Sequence, residues 1–341
     1  VKNIVLCFDR SQDQPGRRAA TNAGALFGLV ESSPRQLTWY DAGTGPQPPA
    51  RGNRISALRW RQIAADTART SIVEAYRFLV DVWTPGDEIV LLGAGRGASC
   101  ARELARLLGT FGVWHDGHDH LLDYLLATYV LPRTDRSAAD WARISRLAAA
   151  LTGRRHAAVP VRYLGLFDSV TVPGTARSAD DDLAHVAAGR HAVAIDGGHF
   201  GERIGADTVE EVWFRGAHCD VAGTRGACWP LADIPLDWVL DGAVRAGVRL
   251  RGGCRLPTPT EFDALAGSSH PLSMRKLPED ARVHASVELY LRAHPQYWRR
   301  LPARIEWADA EWLARGERLV HTHAPLPVAP AAPRELAAAA H

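Results

Sequence analysis

The sequence predicts an α/β fold built on a doubly wound, mostly parallel sheet, and three observations carry that expectation. Short continuous apolar runs, residues 4–8 first among them, end on a polar residue. Such runs alternate with stretches whose apolar residues recur at three- and four-residue spacing. One run passes directly into a glycine-rich turn, Gly93-Ala94-Gly95-Arg96-Gly97, that opens a helical stretch. A strand covered by helices on both faces has no solvent side, so it reads as an unbroken apolar run rather than an alternating one. In sheets of this kind the site lies along the carboxyl ends of the strands.

Taken in order, residues 4–8 form a strand ending at Asp9, residues 21–30 a helix, and residues 36–40 a strand running into Asp41. A glycine- and proline-rich loop follows to about Arg51, then a helix over 64–83 stopped by Pro85-Gly86. Residues 88–92 form the strand before the glycine turn, and 96–108 the helix after it. Helices are predicted over 121–130, 138–151, 181–188 and 236–246, and strands over 161–167, 192–195 and 211–214. Beyond Cys254 the periodicity weakens. The expected organisation is one domain over 1–305, with its core in 1–253 and an extension over 254–305, followed by an Ala/Pro-rich, partly disordered tail over 306–341.

At 341 residues and 46% hydrophobic content the chain can bury a large core. Its 40 basic residues nearly balance its 38 acidic ones, so no global field argues for nucleic acid or an anionic membrane. Five cysteines without any Cys-x-x-Cys spacing fit free thiols in a reducing compartment better than a disulfide or zinc framework. No apolar run reaches transmembrane length, and the first residues read as a strand rather than a signal, so a cytoplasmic location is expected.

Several segments, in order, carry a family resemblance. They are 2–9, Thr21-Asn22, Tyr40-Asp41, 75–79, 85–89, 93–98, 163–170, Arg190-His191-Ala192, 211–223 and 284–287. Together they resemble an uncharacterised bacterial α/β-hydrolase domain family that includes the catalytic domain of type VI secretion phospholipase effectors. The resemblance reaches about residue 305. It implies an α/β-hydrolase-type sheet, an esterase or phospholipase lineage, no cofactor or metal, a small ester or lipid-like ligand, and secretion by a route that needs no signal peptide.

In that family the turn reads Gly-Phe-Ser-Arg-Gly-Ala, and its serine is the nucleophile, raised on a strained strand-to-helix elbow. Gly93, Arg96, Gly97 and Ala98 match, but Gly95 stands at the serine position. Without a side chain there is no hydroxyl to attack an acyl group. The resemblance makes His218 the general base and Asp168 the group that orients its ring. On the residues alone, Asp168 equally suits a turn cap and His218 a bond to Asp220. Asp9, Asp196, Asp220 and His284 stand in reserve. Ser99 and Cys100 are substitute nucleophiles displaced by about a helical turn, roughly 5–6 Å. Arg10, Ser11 and Arg96 are assigned to the oxyanion or anion-binding region. The family's Asp-Gly-Thr is here Asp9-Arg10-Ser11, and its glycine run after Asp220 is thinned to Ala222-Gly223-Thr224-Arg225. These losses predict a hydrolase-derived binding or interaction module, catalytically impaired or a pseudoenzyme. An active esterase or lipase that uses His218-activated water is the alternative.

Two other motifs have plainer readings. The glycine turn also resembles a truncated dinucleotide site, but no strand ending in an acid follows about 20 residues on. A bare glycine elbow at a helix N-terminus still offers backbone N–H groups to a phosphate or carboxylate. His115, Asp116, His118, Asp119 and His120 are metal-ligand types, yet no second ligand group accompanies them, and they read as a solvated loop.

Overall fold

Period-two alternation sends successive side chains of a strand to opposite faces, and the first strand, β1 (Asn3–Phe8), buries both sets. Ile4, Leu6 and Phe8 enter one apolar core, and Val5 and Cys7 enter another. The computed structural model describes residues 1–9, 21–43, 54–114, 119–132, 134, 136–153, 155–173, 183–196, 202–268 and 275–314. Along the chain β1 is followed by α1 (Asn22–Leu29), β2 (Gln36–Asp41), α2 (Arg54–Val82), β3 (Glu88–Ala94), α3 (Arg96–Phe111), α4 (Asp119–Tyr129) and α5 (Ala138–Leu151). Then come β4 (Val161–Phe167), β5 (Gly189–Ala194), β6 (Val209–Phe214), α6 (His218–Ala222), α7 (Trp229–Arg245), α8 (Glu261–Leu265), β7 (Arg282–His284), α9 (Ser286–Ala293) and β8 (Glu306–Ala308). Short 3-10 turns lie at Pro295–Arg300 and Trp312–Ala314.

The strands form one eight-stranded sheet in the order β2-β1-β3-β4-β5-β6-β7-β8, and every pairing is parallel. Helices cover both faces. The α2 and α3 side chains Ile72, Leu79, Leu104 and Leu108 pack on one, and Leu26 of α1 with Leu240 of α7 on the other. This is the doubly wound α/β architecture expected from the apolar runs. Among the described residues no helix is long and apolar enough to cross a membrane.

Chain order reverses at β1, which has β2 on one side and β3 on the other. At such a switch the following connections diverge to opposite faces and leave a crevice at the carboxyl ends of the strands. Asp9 follows β1 there, and the glycine turn follows β3. The crevice is held by local clips. Thr21 caps α1, its Oγ1 accepting from the Gly24 N–H at 3.2 Å and donating to Asp9 Oδ1 at 2.6 Å. The Asn22 amide donates to the Val221 and Ala232 carbonyls, both at 2.9 Å, and so fastens α1 to α6 and α7.

Two expectations are corrected. The described part of the helix placed at 181–188 is a turn with an isolated parallel bridge, Val161 to Val186, because Leu183 and Val186 are buried along the path into β5. The second concerns the start of the tail, placed at 306. β7 and β8 extend the sheet, and 306–308, placed in the tail, are its edge strand, while Trp312 packs into the core. Three-residue strands are too short to leave a readable period. Residues 315–341 of the tail lie outside the described residues. So do His115, Asp116 and His118 of the histidine cluster, and nothing is described of the Asp119 and His120 side chains at the start of α4.

α3 lies against β1 without a side chain between them at Gly97, where a Cβ would stand 2.0 Å from the Phe8 carbonyl oxygen. Gly97→Ala is therefore expected to lever α3 away from the sheet. The expected loss is about 1–3 kcal/mol or more, read as a lower urea midpoint with an unchanged slope.

Candidate active site

The turn between β3 and α3 is set by backbone geometry. Gly95 adopts φ 56° and ψ −118°, a region that side-chain-bearing residues rarely enter. Its N–H donates to the Phe167 carbonyl at 2.8 Å, and its carbonyl accepts from the Val170 N–H at 3.0 Å. The elbow is thus clamped on both sides of Asp168, with α3 starting at the next residue. An ideal Cβ on Gly95 would lie 3.2 Å from His218 Cε1 and 3.3 Å from His218 Nε2. A side chain at this position would stand directly against the imidazole, in a contact tight enough that the ring would have to give by a few tenths of an ångström.

Asp168 directly follows β4 with φ 43°, and its side chain is fully buried. It gathers donors from three parts of the chain. Its Oδ2 meets His218 Nδ1 at 2.7 Å, and its Oδ1 accepts from the Ala194 N–H of β5 at 2.9 Å. The Arg275 guanidinium grips it with both ends, Nη1 to Oδ1 at 2.6 Å and Nη2 to Oδ2 at 2.9 Å. Burial alone would push the Asp168 carboxyl up, but the His218 hydrogen bond and the Arg275 charge override it and hold the carboxyl well below the usual carboxylate range. His218 is the first residue of α6, its side chain 37% exposed. A neutral imidazole that donates through Nδ1 keeps its lone pair on Nε2, the nitrogen facing Gly95.

The other sequence-picked residues lie elsewhere or serve other bonds. Asp9 accepts from Thr21 Oγ1 and, at 2.5 Å, from the Tyr40 hydroxyl. Asp196 accepts from the Gly216 N–H and the Tyr297 hydroxyl and pairs with Arg300. Asp220 accepts from the Ala217 and Cys228 N–H groups and from Ser268, not from His218. His284 bonds Ser286 and Asp309 and stacks on Phe214 with centroids 4.5 Å apart. Ser99 Oγ meets the Val170 carbonyl at 2.7 Å and Glu202 at 2.8 Å, so its hydroxyl is engaged by the segments after β4 and β5. Cys100 is buried in the α2–α3 core. Arg96 opens α3 with its guanidinium 5.7 Å from the centre of the Trp60 ring. Arg10 and Ser11 lie outside the described residues.

One participant carries no sequence signal, and a second is marked only as part of a resembling segment. Arg275 stands in the aperiodic stretch after Cys254, outside any motif. His191 is buried, accepts the Ser169 N–H on Nε2 at 3.1 Å and meets Glu211 through Nδ1 at 3.3 Å, which braces the turn directly after Asp168. The segment Arg190-His191-Ala192 contributes to the resemblance, but position alone did not separate it from core. Among the described residues there is no group of three or more His, Cys, Asp or Glu residues placed to hold a metal ion.

Comparison with known proteins adds a lineage. The family profile described as "T6SS, Phospholipase effector Tle1-like, catalytic domain" matches residues 2–242. "Uncharacterized protein YEL023C" of Saccharomyces cerevisiae is 30% identical over 214 residues, 57% of this chain and 31% of the yeast protein. This chain therefore spans about a third of that relative's length. Among solved structures, an uncharacterized protein from Pseudomonas aeruginosa aligns at TM-score 0.39 and 16% identity, over 73% of this chain and 46% of that one. The Tle1 effector bound to the VgrG spike of the type 6 secretion system aligns at TM-score 0.35 and 14% identity, over 68% and 53%.

The buried Asp168–Arg275 pair makes a stability prediction. Asp168→Asn leaves the Arg275 charge without its carboxylate and is expected to cost about 3–5 kcal/mol in urea unfolding. Because the native carboxyl is depressed, the wild-type contribution is fully present above the unfolded aspartate value of about 3.9 and is lost as pH falls below it. The Asn variant should lack that acid limb.

Proposed function

As the chain belongs to the family of type VI secretion, Tle1-like phospholipase-effector catalytic domains, we propose that its crevice holds an ester or lipid-like small molecule but lacks the nucleophile to cleave it. One observation carries this reading. The elbow, the imidazole and the orienting carboxylate stand in working relation, yet the position 3.3 Å from His218 Nε2 that a nucleophile's Cβ would fill belongs to a glycine.

The parts that remain have definite chemistry. Asp168 fixes the ring through Nδ1 and leaves Nε2 as a proton acceptor toward Gly95. The N-terminal N–H groups of α3, starting at Arg96, face the same turn and offer partial positive charge to an oxyanion or to a bound carbonyl or phosphate oxygen. Without a hydroxyl at residue 95 no acyl-enzyme forms. Arg275 weakens the relay further: its charge offsets that of Asp168, so the carboxylate stabilises an imidazolium less than a lone carboxylate would.

A second reading rests on the half-open ring of His218. A water held against Nε2, where a serine hydroxyl would otherwise lie, would be deprotonated by the ring as it attacks an ester carbonyl. The alkoxide leaving group would take up a proton from the resulting imidazolium.

Assays with short-chain aryl esters and phospholipid micelles on wild type, Gly95→Ser and His218→Ala separate the two. The binding-module reading expects no wild-type turnover above the His218→Ala background. It also expects Gly95→Ser to exceed wild type by about 10²-fold or more, with an acyl-enzyme burst. Wild-type turnover that His218→Ala abolishes would replace it with the water mechanism.

A further inference from the structure

The Arg275 guanidinium has a second neighbourhood. Besides gripping Asp168, Arg275 lines a cleft of about 310 Å³, together with Lys276, Arg299 and Arg300, whose apolar wall includes Leu301 and Pro302. Four cations around one small space repel one another unless anions compensate them. Two are compensated from behind, Arg275 by Asp168 at 2.6 Å and Arg300 by Asp196 at 2.6 Å. Both carboxylates are buried, at 0% and 3% side-chain exposure, so they fix the two guanidinium groups without filling the cleft. Lys276 and Arg299 are exposed, and among the described residues neither enters an ion pair. The compensated pairs leave a net charge near +2, carried by Lys276 and Arg299, at the cleft mouth.

We propose that this cleft is a binding site for a phosphate monoester, with the phosphate held by Lys276 and Arg299 against the two pre-set arginines and the carbon skeleton laid on Leu301 and Pro302. A guanidinium presents its N–H donors as a planar fork that matches phosphate oxygens, whereas lysine acts as a point charge, and the cleft offers both. The volume is at the lower end of small-molecule sites, near 300 Å³, more than a bare ion needs. Donor rigidity favours binding, because Arg275 and Arg300 are already ordered by Asp168 and Asp196. The site is separate from the turn at Gly95 and is independent of whether esters are cleaved there. Arg275 links the two, since it both grips the carboxylate that orients His218 and lines the cleft.

The phosphate monoester could be a free metabolite or a lipid headgroup, and the test separates these sources. Titration calorimetry of the full chain would use inorganic phosphate and glycerol 3-phosphate. Co-sedimentation would use phosphatidylcholine vesicles with and without phosphatidic acid. The expected result is saturable binding of glycerol 3-phosphate, tighter than inorganic phosphate, and at least tenfold weaker in Lys276→Gln/Arg299→Gln. Retention on phosphatidic acid vesicles, lost in the same double variant, would assign the lipid headgroup as the source. As a control for general charge, Arg143→Gln/Arg146→Gln removes two exposed arginines of α5 and should bind as wild type. Circular dichroism and the urea midpoint establish that each variant is folded. Absence of binding to all three probes at millimolar concentration, or equal weakening in the α5 variant, overturns the proposal.

Discussion

The buried carboxylate of Asp168 is the interaction on which the site and the carboxyl edge of the sheet depend. It terminates β4, takes the Ala194 N–H of β5, holds His218 at the start of α6 and is gripped by Arg275 from the segment after α8. Elements far apart in sequence therefore meet at one charge. Such a group is costly to desolvate, and an ion pair of this kind is weak evidence for net stability. What it supplies is position. With both oxygens committed, the carboxylate has little freedom to turn, and the imidazole inherits that constraint.

The sheet was legible because each central strand is apolar on both faces, which only a parallel, helix-covered strand makes affordable. β1, β3 and β4 read directly from residues 4–8, 88–92 and 161–167. The glycine turn was legible because strand, turn and helix are contiguous in sequence. Short strands were not. β7 and β8 have three residues each, and their stability comes from register with β6 rather than from a local pattern. The turn at 183–188 differs from the expected helix, and the three-residue spacing of buried Leu183 and Val186 is one that a buried turn shares with a helix.

At the site, Asp168 and His218 were selected through family resemblance and strand-end position, and their geometry adds a direct 2.7 Å contact. Arg275 was invisible for a physical reason: a pairing 107 residues apart leaves no trace in local composition. The reserve candidates were polar residues at strand ends that turned out to be clips. Asp196 joins the ends of β5 and β6 to the 3-10 turn carrying Tyr297 and Arg300, and Asp220 caps α6 while holding the loop before α7. In a parallel sheet every strand must end somewhere, and buried carboxylates satisfy the N–H groups exposed there.

The backbone at residue 95 has a consequence for how such a chain can change over time. A residue with a side chain held in that conformation carries local strain of roughly 1–3 kcal/mol, which selection for catalysis sustains in an active enzyme. Glycine occupies the same φ and ψ without it. Once turnover ceases to be selected, replacement by glycine relaxes the turn and leaves every neighbouring contact in place. Reversal would require the strain to be reintroduced before any benefit of attack is felt. Such a step is thus easier to take than to undo, because the backbone at such a turn favours glycine whatever chemistry its neighbours retain.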